Sequence, residues 1–427
     1  MAQRHIVFAT TGSLGDLHPF LALGCALQER GYRVTIATTA AHEAEVAAAC
    51  LSFHPMRPDP EHSAAFHARY MHPATGGEFV YRHYLTPAIR DSYADLLEAT
   101  KHADLLVSQT LMALAAPLVA ATTGILWISA VLQPMSFFSV YDRPNYLPKA
   151  LSWLCARSPA FHARVLPYVK KHTEQWLAPV RHLREELGLT THPHPLYEGQ
   201  HAPLRVLAMF SPLMGTAQPD WPVATVQTGT ALYLPATAEL PPALAKFLQG
   251  NATGRSEPLV VFTLASASSN DAGDFYVESL KAASALGVRA LLVMGGLARQ
   301  SRLPDPLPAS VFRIDYVAFE NVFAHAAAIV HSGGAATSFK ALQAGRPQVV
   351  VPHAHDQRDN ALRLQQLGVA KVVHQRRPSW KTLRNVLQTV LADTIMSERA
   401  ATVGVQARTE NGVQEACDAI EAVLAHG

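Results

Sequence analysis

The residue pattern best suited to chemistry lies near the C-terminal end of the chain, in the stretch HSGGAATSFKALQAGRPQVVVPHAHDQRDN at 331–360. A short apolar run at 326–330 predicts a buried strand, and the small residues at 332–336 predict a turn. A helix is predicted over 337–344. A glycine turn and a helix N-terminus leave backbone N–H groups unpaired, and the helix dipole favours negative charge. The pattern therefore predicts an anion site.

A polar cluster follows the next predicted strand, at 348–351. Ligands of open parallel sheets bind at the carboxyl ends of the strands, so these side chains should reach the same crevice as the glycine turn. Together the two features predict a phosphate-bearing ligand with a polyhydroxyl group attached. The cluster consists of His353, His355, Asp356 and Gln357.

A second ionisable group occupies a comparable position near the N-terminus. Residues 6–9 predict a strand, and a helix is predicted to begin near Pro19, a favourable first-turn residue. Asp16 lies between them, at the carboxyl end of the strand. The residues alone leave two roles open for Asp16, a general base or an N-cap of the following helix. His18 is a rival base two residues further on.

Composition sets limits on the class of protein. The chain has 427 residues, of which 49% are apolar and 16% are charged, which indicates a large buried core in two or three domains. A net charge of +2 is too small to indicate a nucleic-acid-binding protein. The four cysteines match no metal spacing. Because no signal peptide is recognised at the start, we expect a cytoplasmic setting.

Two series of alternating strands and helices predict an α/β protein with two doubly wound, Rossmann-like domains facing each other across a cleft. A charged amphipathic helix is expected at 166–188. The expected divisions are an N-terminal acceptor-binding domain at 1–228, a linker at 229–257, a nucleotide-binding domain at 258–408, and a C-terminal helix at 409–427 that packs back on the first domain.

One uncharged stretch, 111–132, is long enough to span a bilayer. Pro117 and the Thr122-Thr123-Gly124 sequence interrupt it. We therefore expect a buried helix at 111–121 and a strand at 125–131 instead of a transmembrane helix.

Residues 331–357 resemble the donor-binding signature of the family 1 glycosyltransferases of GT-B fold: H-x-G-G-x-x-T, a helix, A-G-x-P, a strand, and P-x-x-x-D-Q. The opening GSLGDLHPFLALG, residues 12–24, resembles the N-terminal loop of bacterial members. The likeness covers nearly the full length of the chain. Within the family, the chain is most similar to the rhamnosyltransferases of bacterial rhamnolipid synthesis, through VFTLASASSNDAGDFY (261–276), PDWP (219–222) and PHAHDQRDNALRLQQLG (352–368).

The resemblance implies a role for individual residues. Tyr316 would stack on the nucleobase, the Val317 backbone would pair with the base edge, and His331 would contact the diphosphate. Asp16 stands where many members carry the catalytic His or Asp. The other implied donor-site residues are Ser266, Gly333, Gly334, Ala336 and Thr337 around the phosphates, and Asp356 and Gln357 at the sugar hydroxyls.

The sequence departs from the family at the ribose position. Many members carry a glutamate there that accepts both ribose hydroxyls, whereas this chain has Phe339-Lys340. Deoxyribose lacks one of those hydroxyls, so the departure favours a thymidine donor without excluding uridine. The resemblance thus implies an inverting, metal-independent transferase. It would need no cofactor, and its donor substrate would be dTDP-rhamnose or a UDP-sugar.

The apolar and aromatic stretch at 111–161 predicts a hydrophobic, hydroxyl-bearing acceptor. The resemblance points to a 3-(3-hydroxyalkanoyloxy)alkanoate, which would give mono-rhamnolipid. A UDP-glucose-dependent enzyme acting on a lipid or an aromatic or polyketide molecule is the alternative. Peripheral contact with the inner membrane, and with the enzyme that makes the lipid, are further expectations. The predicted acceptor-side residues are Ser13, His18, Leu111, Met112, Gln133, Pro134 and Phe137.

Two readings from other classes remain. His353, His355 and Asp356 could form the metal cluster of a hydrolase, with His331 as a third nitrogen ligand. No supporting acidic cluster appears elsewhere in the sequence. A non-catalytic nucleotide-sugar binding protein is the other reading, and turnover with any acceptor would exclude it.

Overall fold

The computed structural model describes residues 3–61, 63–191, 193–234, 240–250, 257–269, 272–295, 302–374 and 377–426. The chain divides into two compact units. The first unit comprises Met1–Tyr70, Ala74–Tyr233 and Asn411–Gly427, and the second comprises Met71–Pro73 and Leu234–Glu410. Two parts of the expected linker, 235–239 and 251–256, lie outside the described residues.

The described part of the first unit contains one sheet of seven parallel strands in the order β3-β2-β1-β4-β5-β6-β7. The central strands are buried on both faces, which is why they read as continuous apolar runs in the sequence. The strands are β1 (His5–Ala9), β2 (Arg33–Thr38), β3 (Ser52–Pro55), β4 (Leu105–Gln109), β5 (Leu126–Val131), β6 (Arg205–Ala208) and β7 (Thr225–Gln227).

The described part of the second unit contains a sheet of six parallel strands in the order β10-β9-β8-β11-β12-β13. The strands are β8 (Leu259–Thr263), β9 (Arg289–Val293), β10 (Val311–Ile314), β11 (Ala328–His331), β12 (Gln348–Val350) and β13 (Ala370–Val372). The predicted pair of doubly wound α/β domains is therefore confirmed.

Helices connect the strands in both units. In the first unit they are α1 (Leu14–Glu29), α2 (Glu43–Ala48), α3 (Ala64–Tyr70), α4 (Gly76–Phe79), α5 (Ile89–Thr100), α6 (Ala116–Thr123), α7 (Lys149–Cys155), α8 (Pro159–Glu174) and α9 (Ala178–Glu186). In the second unit they are α10 (Pro242–Gln249), α11 (Ser266–Ser269), α12 (Phe275–Leu286), α13 (Glu320–Phe323), α14 (Ala335–Gln343), α15 (Gln357–Gln366), α16 (Trp380–Ala392) and α17 (Thr394–Ala407). The last helix, α18 (Gly412–His426), belongs to the first unit.

Each sheet has a point where the strand order reverses, because the chain first adds strands on one side of the starting strand and then on the other. The reversal lies between β1 and β4 in the first sheet and between β8 and β11 in the second. Open α/β sheets bind ligands at the carboxyl ends of the strands that flank such a point. The loops after β1, β4, β8 and β11 are therefore the places to look for chemistry.

The C-terminal helix α18 completes the core of the first unit. Its Cys417 and Ile420 are fully buried and share a hydrophobic cluster with Leu23 and Leu27 of α1. Arg30, just after α1, pairs with Asp418 and Glu421 at the edge of this contact. Helix α17 is the last helix of the second unit, and α18 then returns to the unit with which the chain began.

Three element predictions were wrong in detail. Helix α1 begins at Leu14, and Pro19 lies inside it, because Ser13 caps the helix five residues earlier than the proline signal suggested. The predicted helix at 111–121 is α6, which begins at Ala116. The predicted helix at 166–188 is two helices, α8 and α9; Pro179 cannot donate the backbone hydrogen bond that would continue α8.

Stretch 111–132 folds as a helix, a Gly124 turn and a strand, as predicted. Gly124 ends α6 in the left-handed conformation that glycine adopts readily. Within the described residues, no helix combines the length and the apolar character needed to cross a bilayer.

Candidate active site

Asp16 of the first unit is held by three hydrogen bonds. Its Oδ2 accepts from the backbone N of Ser13 at 2.8 Å and from the Ser13 hydroxyl at 3.0 Å. Its Oδ1 accepts from Nε2 of Gln109 at 2.7 Å. Gln109 ends β4, the strand beside β1 at the point of reversal, so the fold itself brings this amide to Asp16. The half-buried carboxylate therefore has a fixed orientation at the carboxyl edge of the sheet.

The glycine before this turn is required by the position of Asp16. Gly12 has a φ of +109°, and a Cβ atom there would lie 2.5 Å from Oδ2 of Asp16. His42 contacts the carbonyl oxygen of Gly12 at 3.0 Å. Thr10 donates to Oε1 of Gln109 at 2.5 Å, which fixes the amide so that its N–H points to Asp16. Strand β1, the turn and β4 thus form one hydrogen-bonded assembly.

Asp16 also has a structural role, although a different one from the N-cap considered above. Ser13 is the N-cap of α1, and Asp16 is the third helical residue, whose side chain bonds back to the N-cap backbone. The N-cap assignment for Asp16 was wrong because the helix begins before Asp16 and not after it. One of its two oxygens makes the capping contacts, and the other faces Gln109.

The predicted acceptor-side residues lie at the same edge of the first sheet, in the segments that follow β1, β4 and β5; His18 lies in the second turn of α1. Met112 comes close to the Asp16 turn, since its Cε would lie 3.2 Å from a Cβ atom on Gly12. Leu111 has a φ of +68° and is half-buried beside Met112 in sequence. Ser13 and His18 are also half-buried, and the His18 ring lies 5.4 Å from that of Tyr233.

The residues after β5 are tied into packing. Phe137 stacks on Trp221 with ring centroids 4.1 Å apart, and it contacts the cluster that contains Phe210. Pro134 is buried, whereas Gln133 is half-buried. Phe137 is only half-buried in this cluster, so the acceptor role of Phe137 and Pro134 stays a prediction.

In the second unit, the turn after β11 is the place where the sequence predicts an anion site. Gly334 is the N-cap of α14 and has no side chain to satisfy the first amides of the helix. The first hydrogen bond of the helix runs from Ser338 to Gly334, so the amides of Ala335, Ala336 and Thr337 precede it. The N-terminal turn of a nine-residue helix therefore offers backbone donors and the positive end of the dipole.

Neighbouring loops close around this turn. Ser332 accepts a hydrogen bond from the backbone N of Ala265, at 2.9 Å, in the loop that leads to Ser266. Asn360 of α15 donates to the carbonyl of Gly333 at 2.9 Å. Gly333 has a φ of +89°, and a Cβ atom there would lie 2.9 Å from the carbonyl oxygen of Gln357. The turns after β8, β11 and β12 therefore meet at one place, with half-buried Ser266 beside it.

His331 is fully buried, and both ring nitrogens are used inside the protein. Nδ1 accepts from the backbone N of Gly333 at 3.0 Å, so Nε2 carries the hydrogen and donates to Gln348 at 2.8 Å. Burial lowers the pKa of His331 to about 4, which keeps the ring neutral. The predicted diphosphate contact does not fit this arrangement; the ring instead holds the glycine turn in shape.

Gln357 is likewise used within the protein. Its Oε1 accepts from the backbone N of His353 at 2.8 Å, and its Nε2 donates to Ser268 at 2.8 Å. The predicted contact of Gln357 with a sugar hydroxyl does not fit, because its amide is buried and joins two loops. Asp356 is half-buried and accepts a hydrogen bond from Asn360 at 2.8 Å. Of Asp356 and Gln357, Asp356 is therefore the better placed to contact a sugar hydroxyl.

The residue predicted to stack on the nucleobase has an exposed ring. Tyr316 follows β10 and leaves 65% of its surface exposed, whereas Val317 is buried in the core. Nearby, Lys340 of α14 is paired with Glu320 of α13 at 2.7 Å, and the lysine side chain is only 15% exposed. Burial raises the pKa of Tyr316, and the negative charge of Glu320 raises it further.

The residues considered as metal ligands, His331, His353, His355 and Asp356, do not form a metal site. His331 uses both nitrogens elsewhere, His353 is buried and His355 is exposed. Across the described ranges, no three His, Cys, Asp or Glu side chains are grouped to hold a metal ion.

Four contributors were absent from the sequence predictions: Gln109, Ser332, Ser268 and Asn360. Each is a polar residue at or just beyond the carboxyl end of a strand, or in the first turn of a helix. The signal that could have found Gln109 is its place at the end of the strand next to β1.

Two sequence families match the chain. The Erythromycin biosynthesis protein CIII-like C-terminal domain matches residues 284–423, and the Glycosyltransferase family 28 N-terminal domain matches residues 6–83. These matches cover the donor turn and the Asp16 turn respectively.

Individual proteins match over nearly the whole chain. An O-mycaminosyltylonolide 6-deoxyallosyltransferase of Streptomyces fradiae is 29% identical, over 97% of this chain and 96% of its own length. A sterol 3-beta-glucosyltransferase of Candida albicans is 24% identical over 98% of this chain, which spans only 28% of that protein.

The glycosyltransferase VinC, solved in complex with dTDP, shares the fold with a TM-score of 0.67 at 18% identity, over 99% of this chain and 100% of that one. The fold, the two family matches and these relatives agree: the chain resembles glycosyltransferases of GT-B fold that use a nucleotide-sugar donor and act on small-molecule acceptors.

Proposed function

We propose that the protein transfers rhamnose from dTDP-rhamnose to a hydroxyl group of a hydrophobic acceptor, with inversion and without a metal ion. The acceptor that the sequence resemblance favours is a 3-(3-hydroxyalkanoyloxy)alkanoate, which gives mono-rhamnolipid. The observation that carries the choice of nucleotide is the ion pair between Lys340 and Glu320.

This ion pair stands where a ribose-binding carboxylate is expected from the family pattern. A cation replaces the carboxylate on α14, and its Nζ is occupied by Glu320 at 2.7 Å. A 2′-hydroxyl would gain no acceptor from Lys340, because an ammonium group only donates. A deoxyribose avoids the cost of leaving that hydroxyl without a partner, about 1–3 kcal/mol when it is buried.

Two relatives support a thymidine-linked deoxyhexose donor. The structure of VinC contains dTDP, and the Streptomyces fradiae relative is a 6-deoxyallosyltransferase. Rhamnose is also a 6-deoxyhexose, with a methyl group where glucose has a hydroxymethyl group. The half-buried Asp356 is the described carboxylate best placed for the remaining sugar hydroxyls.

The proposed mechanism is a single displacement at the anomeric carbon. The acceptor oxygen forms a bond to that carbon while the bond to the diphosphate breaks, and Asp16 takes the proton of the acceptor hydroxyl. Positioned general bases typically contribute 10²–10⁴-fold. The leaving diphosphate would be stabilised by the amides of Ala336 and Thr337 and by the hydroxyl of Thr337.

A hydrophobic acceptor is supported by the side chains around the Asp16 turn. Leu111 and Met112 are half-buried there, and the relatives named above act on O-mycaminosyltylonolide and on a sterol. An apolar acceptor would bury surface against these side chains, at about 25 cal/mol per Å².

Calorimetric titration with dTDP and with UDP tests the nucleotide assignment. We expect dTDP to bind at least tenfold more tightly than UDP. Equal binding, or tighter binding of UDP, would contradict the role given to Lys340.

The sterol relative favours a second candidate, a UDP-glucose-dependent glucosyltransferase acting on a lipid. It would use the same Asp16 and the same donor turn. Tighter binding of UDP in the titration would select it.

A further inference from the structure

The helices after β5 carry an exposed surface of aromatic and basic side chains that the proposed reaction does not use. Three large side chains are exposed there: Trp153 by 51%, Leu154 by 46% and Tyr168 by 77%. The exposed cations are Arg157, Arg164 and Lys171. These six residues are called the basic–aromatic surface below.

The surface is ordered by helix geometry. Arg164, Tyr168 and Lys171 are spaced four and three residues apart on α8, so they lie on one face of that helix. The guanidinium carbon of Arg157 lies 3.6 Å from the centroid of the Trp153 ring, which holds the cation and the indole together. All are exposed, and because α7 and α8 pack against each other, the apolar and cationic groups lie on two neighbouring helices and the turn between them.

The charge of this region is one-sided. Residues 143–173 contain six Lys and Arg and no Asp or Glu, so this segment alone carries +6 in a chain whose net charge is +2. The carboxylates at its border are engaged: Glu174 pairs with Arg181, and Glu198 pairs with Lys170. In the part of the chain that the structure describes, Arg157, Arg164 and Lys171 form no ion pair.

We propose that the basic–aromatic surface docks the protein on an anionic lipid bilayer. Tryptophan and tyrosine rings favour the boundary between headgroups and acyl chains. Arginine and lysine beside them are attracted to anionic headgroups, and the combination of apolar and basic residues characterises surfaces that lie on a membrane without crossing it. The inference rests on this surface alone and does not depend on the identity of the donor.

A protein partner would require complementary carboxylates, and a second copy of the chain would bring cations against cations across a two-fold axis. An anionic bilayer offers partners for both kinds of side chain, with headgroups for the cations and acyl chains for the apolar groups. It would also hold the enzyme where a hydrophobic acceptor accumulates.

Co-sedimentation of the full chain with vesicles tests the proposal. Vesicles of phosphatidylcholine alone are compared with vesicles containing about one-third phosphatidylglycerol, at low and at high salt. We expect at least tenfold stronger binding to the anionic vesicles, reduced by salt.

The charge variant R157Q/R164Q/K171Q should weaken that binding roughly a hundredfold, since three surface cations are removed. The variant W153S/Y168S should weaken binding as well while retaining its salt dependence. The matched control is K381Q/R384Q, which removes two cations beside another aromatic ring, Trp380. It should bind as the wild type does.

Equal partitioning to both vesicle types, or a charge variant that binds like the wild type, would overturn the proposal. A concentration-dependent dimer that W153S/Y168S abolishes, together with no vesicle binding, would assign the surface to self-association and would overturn it too. Unchanged melting temperature and dTDP affinity of each variant would show that the fold is intact.

Discussion

The exchange of Asp16 for asparagine separates its proposed catalytic role from its structural one. The substitution preserves size but removes the charge and replaces one acceptor oxygen with an amide donor. Oδ2 now accepts two hydrogen bonds from Ser13, and Oδ1 accepts one from Gln109. The amide oxygen of an asparagine can accept from either Ser13 or Gln109. Its NH₂ group then faces the donor of the other residue.

The structural cost follows from those contacts. A hydrogen bond to a charged group contributes about 1.5–3 kcal/mol, and a helix cap about 1 kcal/mol. We therefore expect the free energy of unfolding to fall by about 1–3 kcal/mol. If Asp16 is the base, kcat should fall by about 10²–10⁴. The affinity for dTDP should not change, because every proposed nucleotide contact is made by the second unit.

The matched control is Ser13→Ala. It removes the hydroxyl that caps α1 and bonds Oδ2, at a cost of about 1 kcal/mol, but it leaves the carboxylate in place. With donor and acceptor both saturating, we expect its kcat to stay within about threefold of the wild type, while KM for the acceptor rises because Ser13 is also a predicted acceptor-side residue. The measurements are chemical denaturation for stability, calorimetry for dTDP, and initial rates at saturating donor.

Two results would refute the reasoning. Normal turnover by Asp16→Asn would show that another group takes the proton. An equal loss of kcat in Ser13→Ala would show that the shape of the turn, and not the carboxylate, limits the reaction.

Other substitutions test the remaining parts of the site. Gln109→Leu removes the amide that orients Asp16, and we expect about a tenfold loss of kcat with unchanged dTDP affinity. Asp356→Ala should raise KM for the donor sugar more than Kd for dTDP, measured by rates and calorimetry. His331→Gln should flatten the pH dependence of the free energy of unfolding. The pKa of His331 is about 4 in the folded protein, against an ordinary value of 6.5. The neutral ring therefore contributes about 3 kcal/mol of stability above pH 6.5, and this contribution is lost as the pH falls toward 4. Denaturation curves across that range should have a shallower slope in the variant, and the part that remains comes from His201 and His353, whose pKa values are also lowered to about 4 by burial.

The sequence was sufficient to predict the two parallel sheets and the glycine turn before α14. Buried parallel strands are continuous apolar runs, and small residues between a strand and a helix are a strong local signal. The predicted start of α1 was wrong because it relied on Pro19 and not on the capping box formed by Ser13 and Asp16. Ser13 and Asp16 have the spacing of a capping box, which marks the true start.

Side-chain partners were harder to predict, because they depend on contacts between distant segments. Gln109 lies 93 residues from Asp16 and reaches it only through the pairing of β1 with β4. His331 and Gln357 occur in the right motif, but a motif does not reveal that their polar atoms are already bonded to Gln348 and Ser268. The position of a residue in a motif therefore predicts where the residue lies in the fold, but not which groups its side chain bonds.

The most direct test of the central claim is turnover with defined donors. The purified protein would be incubated with dTDP-rhamnose or UDP-glucose, and each donor would be combined with a hydroxyalkanoyl lipid and with a flavonoid. The products would be identified by mass spectrometry. The account predicts a rhamnosylated lipid from dTDP-rhamnose, at a rate that exceeds every other combination. A glucosylated product as the main species, or no product from dTDP-rhamnose with the lipid, would contradict it.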